Sequence, residues 1–339
     1  MSLTLPQLDW RTATRAVEQI VRPPMMLQDL VFRRRNPIPS TTVEVDLLIG
    51  GQKLAPFVSD MEAGVVVTGS TRKTRAVKTA RIRLKHPMEA AKLLGERGVG
   101  QIYYAGGITD IMQAMRQKIA VENRELKNQR ARRIEWMCAQ ALQGTLSVTQ
   151  ENIAFQVDYL LPAAHNITLA ADAKWSADNG DPEQDVQTWT DILVNKGYTP
   201  DLMICGTDAA KYLRNKVKDS SWFDKRRLNA GNMQWVASAN YMGNLLGVDC
   251  YRYGALYKDQ DDADQNFWPT DKIALVASGA RFSIEFGMIM DLEAGASVVG
   301  EEFAKQWIEK DPSVLWLLQE TRPLPVPWEP EAIIVADVV

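Results

Sequence analysis

The chemistry open to this chain is limited first by its histidines, of which there are two. His86 precedes Pro87 in a basic, extended-looking segment, and His165 lies between apolar residues in LPAAHNITL. Neither neighbours a serine or cysteine in a nucleophile-elbow context, so a Ser-His-Asp arrangement has no local signature. Cys138, Cys205 and Cys250 are far apart and show no metal or redox spacing, which points to free buried thiols in a reducing compartment. The sequence contains no HExxH, CxxC or GxxxxGKS/T. Gly98, Gly100, Gly106 and Gly107 are not spaced as GxGxxG and read as a flexible joint rather than a phosphate cradle. Asp259, Asp261, Asp262 and Asp264 run like a calcium loop, but Ala263 stands at the third ligand site, the turn glycine is missing, and Thr270 replaces the final glutamate. That run reads as a solvated loop. Glu135 and Glu285 are single carboxylates on apolar faces, not an acid–base pair, and Asn166-Ile167-Thr168 is a glycosylation sequon only in a secreted protein. No cofactor, metal or catalytic residue is expected, and a soluble α/β enzyme is the weaker hypothesis.

The 339 residues are 46% hydrophobic and 24% charged, which suits two or three folded units and excludes wholesale disorder. No run of about 18 apolar residues exists to span a bilayer, and MSLTLPQLDWRTATR lacks the pattern of a secretory signal. The expectation is a soluble intracellular product with no membrane partner.

The elements themselves are unusual for a monomer. Residues 1–40 hold a short amphipathic helix, LDWRTATRAVEQIV, then proline pairs and three consecutive arginines, with too little apolar surface for a core of their own. They form an arm that needs something to lie on. Residues 42–49 alternate as a strand, and 65–68 and 77–85 are again β-like, so a long, poorly buried hairpin is expected over 41–86. Its edges are open to pairing. Between Arg72 and Lys85 stand seven basic residues, Arg72, Lys73, Arg75, Lys78, Arg81, Arg83 and Lys85, and no acidic one. A solvated surface hairpin and a ribbon lying across a neighbouring subunit are the two readings of it.

From about 108 to 143 runs the longest helix signal, with Ile108, Met112, Met115, Ile119, Leu126, Ile134, Met137 and Ala141 mostly three or four apart. Gly144 is placed to end it. At about 1.5 Å per residue it would reach roughly 50 Å. The stripe falters over 122–133, which fits a spine laid along a sheet better than a long zipper. Farther on, Asp181-Pro182-Glu183 opens a helix that Lys196-Gly197 ends. A strand over 202–205, a helix opened by Thr207-Asp208, and strands at 248–253, 272–277 and 281–286 follow, a compact α/β insertion able to bury its own core. The strand at 314–319 leads to Pro323, Pro325 and Pro327, whose alternate spacing suits an extended edge. The last run, AIIVADVV, predicts a docked terminus.

Charge is polarised along the chain. Residues 1–150 hold 23 Lys and Arg against 13 Asp and Glu, a net of +10, and residues 151–339 hold 16 against 29, a net of −13. The basic half suits nucleic acid or the acidic half of another copy. No recognition module accompanies the basic stretch, so a DNA-binding protein is the weakest reading.

Taken in order, LAPFV (54–58), RRIEWMCAQALQGTLSV (132–148), TPDLMICGTDAAKYL (199–213), YMGNLLGVDCYRYGALYKD (241–259) and VLWLLQETRPLPVPWEP (314–330) resemble the major capsid proteins of tailed phages, of the phage lambda type (the capsid E family). The resemblance runs from about residue 40 to the end. It implies an α+β protein of the Hong Kong 97-type capsid fold: an N-arm (1–40), an extended β-hairpin loop (41–86), a peripheral domain with the spine helix (87–170 and 301–339) and an axial domain (171–300). It implies a structural protein that self-assembles as hexamers and pentamers into an icosahedral shell around packaged double-stranded DNA. Synthesis in the host cytoplasm and residence in the virion are expected with it, and scaffold, decoration, portal and protease proteins are the helpers such shells use. A cellular nanocompartment shell of the same fold is the second hypothesis. Arg72, Lys73, Arg75, Lys78, Arg81 and Arg83 are then expected to meet acidic surface on adjacent subunits, with packaged DNA as the runner-up partner.

Overall fold

A computed structural model of the chain describes residues 9–49, 71–89, 111–150, 153–217, 223–224, 239–259, 261–311 and 313–339. The glycine joint at 98–107, the strand expected at 65–68 and LAPFV lie outside these residues.

The spine is a helix of 32 residues, Ile111–Leu142, about 48 Å long at about 1.5 Å per residue. Gly144 follows it at φ +88°, a left-handed position where glycine carries no Cβ penalty, and a Cβ there would sit 2.8 Å from that of Leu161. The last turns bury Ile134, Met137, Cys138, Ala141 and Leu142 in the main core. Where the apolar stripe falters, Arg130 is buried too, bound to Glu302 and Gln319 rather than solvent.

The spine lies between sheets. The central sheet has seven strands in the order Asn166–Thr168, Ile333–Asp337, Lys272–Val276, Leu202–Cys205, Val248–Tyr253, Ala239–Leu245 and Phe223–Asp224. Leu202–Cys205 is buried at every position, as expected of an apolar run covered on both faces. One face joins the main core. The other is covered by the helices Pro182–Asn195 and Thr207–Val217, through Val186, Trp189, Leu193 and Leu213. The Asp181 carboxylate accepts from the backbone N–H groups of Glu183 and Gln184, satisfying donors that the first turn leaves free.

A small sheet pairs Arg34–Pro37 with Phe282–Phe286 and Pro323–Pro327. The prolines fall on an edge strand, where a missing N–H costs nothing. An outer sheet pairs Phe303–Glu309, Val314–Thr321 and Ile82–Glu89. One of its faces packs Leu315, Leu317 and Met88 against Leu126 and Ile119 of the spine. The ribbon, Thr42–Ile49 against Thr71–Lys78, runs in continuous antiparallel register.

Two expectations are redrawn. The β-like stretch 77–85 belongs to two sheets: Lys78 ends the ribbon and Ile82 begins a strand of the outer sheet. The pivot is Thr79, whose N–H and Oγ1 both donate to Thr41 O at 3.0 and 3.1 Å. Unbroken alternation in the sequence conceals this change of partner. The arm does not merely lie on the body, because Met26, Leu27, Val31 and Phe32 are within the main core. Strand pairing also crosses the expected domain limits. Ile333–Asp337, expected with the peripheral part, sits inside the central sheet, and Phe282–Phe286, expected with the axial part, pairs with the arm and the proline strand.

Candidate functional site

His165 is buried, with Nδ1 2.8 Å from Ile333 O, and burial pushes its pKa down. His86 Nε2 lies 3.5 Å from a Glu122 carboxylate oxygen at the surface. All three cysteines are free and buried, and burial raises each thiol above its usual range. Asp259 closes its own loop, with Oδ1 accepting from the N–H groups of Asp261 and Ala263. Among the described residues no group of three or more His, Cys, Asp and Glu side chains could hold a metal ion. Glu285 accepts from Ser283 Oγ (2.6 Å) and Asn36 Nδ2 (2.9 Å), which ties the arm to the small sheet.

Glu135 is a knot. Its side chain leaves the spine at a fully buried position. Oε1 accepts from Leu27 N at 2.7 Å and from the Tyr253 hydroxyl at 2.8 Å. Oε2 accepts from Gln28 N at 3.2 Å and from Gln28 Nε2 at 3.1 Å. One carboxylate thus joins the arm, the spine and the central sheet. Burial raises its pKa although every one of these donors works the other way.

A line of ion pairs continues the fastening. Glu302 receives Lys127 at 2.9 Å and the buried Arg130 at 2.5 Å. Burial acts to raise the Glu302 pKa, but the two spine cations prevail and hold it below the usual range. Arg35 of the arm reaches Glu301 at 3.0 Å. Glu320, fully buried, takes a two-pronged contact from Arg81, with Nε at 2.7 Å and Nη2 at 2.8 Å. Arg83 reaches Glu320 at 3.4 Å and Asp291 at 4.0 Å, and Lys305 holds Asp291 at 2.7 Å.

The six cations singled out in the sequence therefore divide. Arg81, just before the outer-sheet strand Ile82–Glu89, and Arg83 within it find carboxylates of their own chain: Glu320 on the neighbouring strand Val314–Thr321 and, for Arg83, also Asp291. Arg72, Lys73, Arg75 and Lys78 belong to the ribbon, opposite Leu48, Leu47, Val45 and Thr42. Lys78 is exposed. Arg81 and Arg83 thus already hold carboxylates within their own chain. Sequence reasoning missed Glu135, Glu302 and Glu320 as fastening points. The available signal was acidic residues placed inside otherwise apolar helix and strand patterns.

Comparison with known proteins decides the family. The profile described as phage major capsid protein E matches residues 9–338. The chain belongs to that family. The major capsid protein of Enterobacteria phage P21 is 23% identical over 343 residues, covering 95% of this chain and 96% of the relative. A crystallised prophage capsid protein of Escherichia coli CFT073 superposes with a TM-score of 0.77 at 18% identity, covering 99% and 100% of the two chains. The capsid structure of Cyanophage P-SCSP1u gives 0.55 at 10% identity, over 94% and 89%. The capsid fold expected from the resemblance is thus the fold observed, Hong Kong 97-type α+β. As a phage major capsid protein, the chain has a structural role in the head.

Proposed function

We propose that copies of this chain assemble as hexamers and pentamers into the icosahedral head of a tailed phage, enclosing double-stranded DNA without reading its sequence. The chain is made in the host cytoplasm and resides in the virion. The ribbon carries this reading. Its two strands pair with each other and with no third strand among the described residues. A lone two-stranded hairpin is marginal in water, so a neighbour's surface is what gives this one a reason to persist. Arg72, Lys73, Arg75 and Lys78 supply charge for that contact, and the −13 of residues 151–339 supplies its complement. The buried knot and ion pairs serve a different end: they make the rest of the subunit stiff enough to transmit assembly strain.

Electron microscopy of the purified protein tests the reading directly, with closed shells or rings of five and six as the expected result. Reversing Arg72, Lys73 and Arg75 to Glu is expected to leave a folded subunit that assembles poorly. Normal shells from that triple variant would refute the ribbon's electrostatic role. Shells that form but retain no DNA in infected cells would instead assign the cations to the genome.

A further inference from the structure

Two apolar features lie on opposite faces of the outer sheet, and neither serves the subunit that carries it. The first is a projection. Residues 287–300 fold back through mutual backbone bonds between Ile289 and Val298, at 2.9 and 2.8 Å. The turn is closed by the N–H groups of Ala294 and Ala296 donating to Asp291 O at 3.2 and 3.1 Å. The Asp291 carboxylate is buried, held by Lys305 and by Glu293 N. Ala296 is fixed at φ +83°. This well-tied scaffold holds Leu292 out with 93% of its surface exposed, flanked by the half-exposed Met290 and Val299. Holding a leucine in water on a rigid turn is unfavourable unless something covers it, and rigidity lowers the cost of being covered.

The second feature is a groove of about 410 Å³ between the first helix, Trp10–Glu18, the spine and the outer sheet. Ala16, Val17, Ile20, Ile119, Ile308 and Leu315 give it an apolar floor. Its lining includes Arg116 and Lys305 and no carboxylate among the described residues. Segment 287–300, by contrast, contains Asp291 and Glu293 and no basic residue; Lys305 holds Asp291 and reaches Glu293 at 3.3 Å, leaving the Glu293 side chain about half exposed. Ile289 packs on Phe303 and Leu318, on one face of the sheet, whereas Leu315 and Leu317 meet the spine from the other. The projection of a subunit therefore cannot fill that subunit's own groove.

We propose that the Leu292 projection of one copy seats in the groove between the first helix and the spine of a second copy. This rests on the capsid reading above. The contact joins two different surfaces, so it propagates from copy to copy and closes only when the rotation closes. Leucine and Met290 supply the apolar anchor, and Glu293 approaches Arg116 at the rim, the pattern of a central hot spot with a polar margin.

The test is cross-linking within assembled shells. Chains carrying Leu292→Cys are mixed with chains carrying Ala120→Cys, assembled, oxidised, and run denatured without reductant. A disulfide requires Cα atoms about 4.4–6.8 Å apart, and the three native cysteines are buried, so background is low. The expected result is a cross-linked dimer from this pair and none when Val194→Cys, exposed on a helix covering the central sheet, replaces Ala120→Cys. Leu292→Ser is expected to lower shell yield while leaving the urea midpoint of the free subunit unchanged. Intact shells without the dimer, or undiminished shells from Leu292→Ser, overturn the contact and leave the capsid reading standing. Failure of the unsubstituted chain to form shells removes that reading and the contact with it.

Discussion

Replacing Glu135 should unfasten the arm. In Glu135→Ala four donors lose their acceptor at once: the N–H groups of Leu27 and Gln28, the Gln28 side-chain amide and the Tyr253 hydroxyl. A buried donor left unsatisfied costs about 1–3 kcal/mol. Removing the carboxylate also relieves its own burial penalty, and water entering the space left behind satisfies part of the remainder. The expected net loss is about 2–4 kcal/mol, several such donors less the relief and the entering water. Glu135→Gln keeps the shape and one acceptor oxygen but turns an NH2 toward donors, at a cost of about 1–3 kcal/mol. The pH dependence has a definite sign. Because burial raises the folded-state pKa, this group's contribution is full below the ordinary glutamate value of about 4.3 and is lost as pH rises through the raised value. The deficit of Glu135→Gln should therefore shrink over that window. Urea unfolding of the unassembled subunit, followed by tryptophan fluorescence, measures all of this. A loss under about 1 kcal/mol for Glu135→Ala would refute the claim that the knot, rather than apolar packing, fixes the arm.

Two smaller perturbations test the other fastenings. Glu302 is held below the usual range by Arg130 and Lys127 against the effect of burial, so its contribution is present above about pH 4.3 and is lost as pH falls through the depressed value. Glu302→Gln should be less stable than the parent at neutral pH and should lose less of its urea midpoint on acidification; parallel acid profiles would contradict the assignment. Asp181→Ala removes the cap of the helix Pro182–Asn195 and should cost about 1 kcal/mol, read from the same unfolding curves; no change would mean that solvent satisfies those donors equally well.

Local signals were legible in the sequence and distant partners were not. Asp181-Pro182 and Lys196-Gly197 mark the ends of a helix within their own neighbourhood, and the structure places it at Pro182–Asn195. The spine's stripe, the strand at 202–205 and the proline edge are equally local, since periodicity and backbone chemistry specify them without reference to the rest of the chain. The ribbon was legible as extended and basic, but where it ends was not. Alternation continues from Val77 to Leu84, and only the pairing of Thr321 with Ile82 shows that the second half serves another sheet. Glu320 meets Arg81 across 239 positions of sequence, and Glu135 meets the arm across 107 and 108. At such separations the choice among many carboxylates is made by the fold, and residue type alone carries no preference. The sheet in which the final strand docks was illegible for the same reason, because a strand can dock in any sheet that leaves it a place.

The charge polarity then acquires two roles. Arg35, Arg81, Arg83, Lys127 and Arg130 come from the basic first 150 residues, and Glu301, Glu320, Asp291 and Glu302 come from the acidic remainder. The first use of the imbalance is therefore intramolecular: it clamps the segment around 291–320 to the arm, the outer sheet and the spine. Several of these carboxylates are buried, so the clamp depends on fixed geometry and is little screened by salt. Lys78 of the ribbon is different in kind. Lys78 is exposed, and a contact made by exposed charges weakens with ionic strength at a range of about 8–10 Å. A shell built this way has subunits whose internal order is indifferent to salt and a subunit contact that is not. Rising salt should then slow assembly well before it unfolds the subunit, and that separation distinguishes an electrostatic ribbon contact from one made by apolar surface alone.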